Sequence, residues 1–171
     1  APTREISPDE FCEAVKSTDV GIIAITNHNV FDLEQYSEIR DAIGEDAQVW
    51  PGIELDIIAD GSRGHLLVIV SPEKAVEFAG VVTELTEGST PDTFTTTIDE
   101  VIEALEILIA GTANPARVIK EVANSISAGI YISHGHASIY GSDIHDWANY
   151  EDEARDLPDL RLPVESFEHF C

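Results

Sequence analysis

An α/β fold with a parallel sheet is what this sequence predicts, on three observations. Short apolar runs of strand length alternate with amphipathic stretches, helix-opening motifs stand between them, and 43% of the 171 residues are hydrophobic, enough to bury a core. Ser7-Pro8-Asp9-Glu10 opens the first helix, with Ser7 as N-cap, Pro8 at the first position and Glu10 closing a capping box. Gly21 to Thr26 (GIIAIT) is a continuous apolar run of the kind buried parallel strands carry. Asp32 caps a second helix, with Gln35 three residues on and Gly44 as terminator. Val49 to Ile58 reads as a strand interrupted at Pro51-Gly52, and His65 to Val70 as another buried strand. Ser71-Pro72 starts a helix towards Leu85, and Glu87 to Thr97 is a polar loop. Thr97 and Glu100 form a further capping box before VIEALE. Ile107 to Ala110 is then a strand, Asn114-Pro115 starts a helix, and Ile130 to Ser133 is the next strand. This βα alternation predicts one domain, either a barrel or a doubly wound sheet.

Composition removes several function classes. No apolar run approaches a membrane span, and the charged, apolar, small-residue order of a secretory signal is missing. The two cysteines, Cys12 and Cys171, lie near opposite ends, which suggests a reducing compartment and a cytoplasmic protein. Acidic residues number 33 against 9 basic ones, a formal charge of -24, and no basic stripe is visible. Such a segment would repel a phosphate backbone unless metals or a partner supplied positive charge. The acidity also suits a salt-rich cytoplasm or solubilising helix faces. The chain has no methionine and opens on Ala1-Pro2-Thr3, so some of its residues, loops or methionines, are expected to be missing from this sequence.

Chemistry-bearing side chains gather at the strand ends. GIIAIT runs into Asn27-His28-Asn29, Glu54 follows Pro51-Gly52-Ile53, and Gly64-His65 opens HLLVIV. His134-Gly135-His136 follows IYIS, and Asp143 and His145 follow Gly141. A lone histidine after a strand is more often a hydrogen-bonded loop residue than a ligand, and Asp143 could simply stabilise a turn. Concentration argues otherwise, because five of the six histidines fall in these segments and only His169 stands apart. Imidazoles and carboxylates together suit zinc, manganese or iron.

In this order, IAITNHN, PGIEL, GHLLVI and GSDIH resemble the later motifs of polymerase-and-histidinol-phosphatase (PHP) domains. The resemblance implies a distorted seven-stranded βα barrel holding up to three divalent metal ions. By position it implies His28, Glu54, His65, Asp143 and His145 as ligands, with Glu54 bridging metals and Glu54 and Asp143 at the catalytic centre. His134 is the candidate for a further ligand histidine, since ILIAG-Thr112 carries none. The chain departs from the pattern in lacking an opening His-x-His and in carrying Asn27 for the usual aspartate. The implied activity is hydrolysis of a phosphate ester by metal-activated water. The alternative is a degenerate, non-catalytic PHP domain serving as a structural or interaction module. A metal-dependent amidohydrolase is a third reading, disfavoured by the few lysines: Lys16, Lys74 and Lys120. From Gly141 onward the chain also resembles PHP domains fused to large ATPase modules. That implies a further module beyond about residue 157, and nucleic acid as a partner of the whole protein. No Walker-type loop occurs here, since Gly61-Ser62-Arg63-Gly64 is too short and lacks the lysine.

Overall fold

The helix starts expected at Pro8, after Asp32 and after Thr97 are realised. The first helix, α1, runs Pro8–Lys16. After the strand β1 (Ile22–His28), α2 runs Leu33–Ile43, and its Asp32 N-cap accepts a hydrogen bond from the Gln35 N–H. Gly44 ends α2 at φ 63, a conformation that glycine adopts without steric penalty. The computed structural model describes residues 7–59, 62–109, 119–122 and 137–140. The remaining described elements of this part are β2 (Gln48–Ala59), β3 (Ser62–Ile69), a 3-10 turn at Pro72–Lys74, α3 (Ala75–Leu85), β4 (Thr96–Thr97) and α4 (Ile98–Ile109).

Two compact units form: Pro8–Ala113, and Ala1–Ser7 together with Asn114–Cys171. In the first, β2 is the central strand, pairing with β1 and β4 in parallel and with β3 antiparallel. In the second, the described strands are β5 (Ile119–Val122) and β6 (Ala137–Tyr140), which pair in parallel.

The expected seven-stranded βα barrel is overturned by this topology. The sheet of the first unit has four strands, is mixed rather than parallel, and does not close. The antiparallel β2–β3 pair is the physical reason. Ala59 pairs with Ser62, so only two residues connect the strands, whereas a parallel crossover needs a dozen or more.

Three smaller expectations also change. β2 runs unbroken through Pro51-Gly52. The apolar run from Ile107 continues α4 instead of forming a strand, and it places Val101 and Leu108 on the buried face. Ile119–Val122 is extended where a helix from Asn114 was expected. The expected strand at Ile130 to Ser133 lies outside the described residues.

Alternation along β2 divides the sheet into two faces. Ile53, Leu55 and Ile57 are buried against Phe78 and Val82 of α3, Val101 and Leu108 of α4, and Phe94. Glu54 and Asp56, between them, point to the opposite face. Tyr36 of α2 is fully buried and donates its hydroxyl to the Val49 carbonyl at 3.2 Å, fixing that helix to the start of β2.

Candidate metal centre

Strand register assembles the centre. His28, the last residue of β1, stands opposite Glu54, and Asp56 stands opposite His65. The Asp56 N–H is used by the Asn29 side chain, so Asp56 and His65 form a non-hydrogen-bonded antiparallel pair. Side chains approach most closely in such pairs. His28 Nε2 lies 3.1 Å and His65 Nε2 lies 3.2 Å from the same oxygen, Asp56 Oδ1. The two imidazole rings meet edge to face with centroids 5.8 Å apart.

Glu54 stands one step outward. Its Oε1 is 2.7 Å from His65 Nδ1, which assigns a proton to Nδ1, while Nε2 faces Asp56 and would be the nitrogen to meet a cation bound there. A carboxylate behind a ligand histidine fixes the tautomer and ring orientation and raises the basicity of the other nitrogen.

Asn29 is the residue that fixes Asp56. It is 2% exposed and adopts φ 54, left-handed backbone that asparagine tolerates better than most residues. Its Nδ2 donates to Asp56 Oδ2 at 3.1 Å and to the Pro91 carbonyl at 2.8 Å, while its Oδ1 accepts from Asp56 N at 2.8 Å. The Asn29 N–H donates to the Glu54 carbonyl at 2.7 Å. One asparagine thus extends the β1 edge and holds one carboxylate oxygen, leaving Oδ1 for the histidines. The hydrogen bond from His28, helped by that from Asn29, holds the Asp56 carboxyl below its usual pKa.

The donor set fits a divalent cation. One atom each from His28, Asp56 and His65 lies within 4.8 Å of the other two. Ligands 2.0–2.1 Å from a tetrahedral zinc stand about 3.3 Å apart, close to the 3.1 Å and 3.2 Å seen between each imidazole and Asp56. Two imidazole nitrogens and one carboxylate oxygen are donor types that zinc takes.

Of the residues singled out by the sequence, His28, Glu54 and His65 come together here. His134, Asp143 and His145 lie outside the described residues. Asn27 faces away from the centre and donates to Gln35 Oε1 at 2.7 Å, joining β1 to α2. Sequence reasoning missed Asp56 and Asn29. The signal for Asp56 was the alternation in Ile53-Glu54-Leu55-Asp56-Ile57, which puts both acids on one face. No sequence signal identified Asn29 as its holder.

No family model, curated protein or solved structure matches this chain. Among the described residues, no helix is long and apolar enough to cross a membrane.

Proposed function

We propose that this protein is a divalent-metal-dependent hydrolase of phosphate esters, the activity implied by its motif resemblance to PHP domains. The observation that carries the reading is the convergence of His28 Nε2 and His65 Nε2 on one oxygen of Asp56. Zinc, manganese or iron at such a set supplies a water of lowered pKa and neutralises phosphoryl oxygens. The chain's own residues divide the remaining work. His28, Asp56 and His65 hold the cation, Glu54 orients His65, and Asn29 orients Asp56. The resemblance adds Asp143, His145 and His134 as ligands of further ions, up to three in all. The cysteine placement supports a cytoplasmic location, and the resemblance of the tail supports a fused or associated ATPase module.

The test is elemental analysis after dialysis without chelator, paired with hydrolysis of p-nitrophenyl phosphate and of bis(p-nitrophenyl) phosphate. At least one equivalent of zinc, manganese or iron per chain is expected, with both metal and hydrolysis lost in Asp56→Ala. A folded protein that holds no metal even after reconstitution would sink this reading. It would favour a non-catalytic interaction module instead.

A further inference from the structure

Beside the metal centre lies a cleft of about 650 Å³, walled in part by Asp56 and His65. Arg63, Asp92, Thr93 and Thr95 also line it. Arg63 stands two residues before His65 on β3, and alternation puts both on the sheet face that carries Asp56. Its side chain is exposed.

The pairing of the cations separates this arginine from its counterparts. Lys16 pairs with Glu13, Arg40 with Asp41 and Lys74 with Glu77, each an acid within three residues on its own element or turn. Among the described residues Arg63 has no acidic partner, although the chain carries 33 acids. An unpaired guanidinium on so acidic a surface, set in a cleft that shares two walls with a metal centre, is placed to meet an anion. Asp56 and Asp92 make the cleft unfavourable for an anion unless a cation meets it there. Thr95 adds a hydroxyl group able to bond a further oxygen, whereas the Thr93 hydroxyl is engaged with Thr90.

We propose that Arg63 is the substrate-anion anchor of this cleft, gripping two oxygens of a phosphate group through its planar fork. Arg63 is a binding and positioning residue, not a ligand, and the assignment rests on the hydrolase reading above. The substrate class it specifies is a phosphate ester that presents at least two non-bridging oxygens away from the cation. A terminal phosphate on a small metabolite and one on a nucleic-acid end share that chemistry.

The experiment is calorimetric titration of the full chain with inorganic phosphate, metal-free and zinc-loaded, for wild type, Arg63→Ala and Arg63→Lys. Zinc stoichiometry is expected to be the same in all three. Phosphate affinity should fall about tenfold to a hundredfold in Arg63→Ala, as loss of a charge-assisted fork implies, with partial recovery in Arg63→Lys. Equal phosphate affinity in wild type and Arg63→Ala, or no phosphate binding by wild type in either form, overturns the proposal. Failure to bind any of zinc, manganese and iron overturns only the hydrolase reading, because the metal-free titration still reports on Arg63. Ribose 5-phosphate and a 5′-phosphorylated oligonucleotide then serve as competitors. Competition by either that depends on Arg63 supports the anchor and names the source, and competition by neither overturns it.

Discussion

Asn29 joins backbone conformation, hydrogen bonding and the geometry of the candidate metal centre in one residue. Replacing it with alanine removes every side-chain partner of Pro91 O, Asp56 N and Asp56 Oδ2 found there, and also puts a Cβ at φ 54. Losing these hydrogen bonds at partly exposed partners costs about 1 kcal/mol, and left-handed backbone adds about 1 kcal/mol for alanine. Asn29→Gly removes the same hydrogen bonds without the backbone strain. Urea unfolding should therefore rank wild type above Asn29→Gly and Asn29→Gly above Asn29→Ala. Zinc affinity should fall by a similar factor in both variants, about tenfold to a hundredfold, as for other groups that orient a ligand. Equal zinc affinity in wild type and Asn29→Gly would show that Asp56 needs no orienting. The same residue marks a limit of sequence reading. His28 and His65 stand out as imidazoles in apolar surroundings, whereas an asparagine after a strand resembles any turn residue until the carboxylate it holds is located.

The elements divide according to how far their causes reach along the chain. The helix starts were legible because a cap and its partner lie within four residues of each other. Glu100 is an instance: its Oε2 accepts from Thr97 N at 2.8 Å and from the Thr96 and Thr97 hydroxyls at 2.9 Å. The Thr97 N–H, then the two hydroxyls, lower the Glu100 pKa, so its stabilisation is complete above the ordinary glutamate value of about 4.3. That stabilisation is lost as pH falls through the lowered folded value. In urea, wild type should exceed Glu100→Gln at pH 7, and the gap should narrow towards pH 3. A gap that widens in acid contradicts the cap.

Pro51-Gly52 looked like a break because the reason it fits lies across the sheet. The missing N–H of Pro51 faces Val70, just past the end of β3, and the Val70 N–H still donates to the Pro51 carbonyl at 3.0 Å. A Cβ on Gly52 would stand 2.8 Å from the Val68 carbonyl and 3.0 Å from Thr26 Cγ2. Gly52→Ala should thus lower stability by about 1–3 kcal/mol in urea, with the loss relieved in part by Thr26→Ser. The direction of β3 had a local sign after all. Asp60-Gly61 between two apolar runs is a hairpin signal, and giving it weight would have argued against an all-parallel sheet.

At the scale of the whole molecule, charge sets the terms. A formal charge of -24 on 171 residues means that compaction brings like charges together, and this self-repulsion opposes the folded state. The described ion pairs do little to offset it, since Lys16–Glu13, Arg40–Asp41 and Lys74–Glu77 are exposed local pairs of small net value. The proposed metal centre belongs to the same account, because Glu54 and Asp56 on one face favour a cation that would relieve their mutual repulsion. Raising salt from about 0.01 M to 1 M shortens the screening length from about 30 Å to 3 Å. Sodium chloride should therefore raise the urea midpoint of the metal-free protein steadily over that range. It should raise it less for the zinc-loaded protein, whose central carboxylates are already neutralised. Urea is the denaturant to use, since guanidinium would itself screen the charges. A midpoint that fell with salt would mean that attractive pairs outweigh the net repulsion, and the acidity would then need a local explanation.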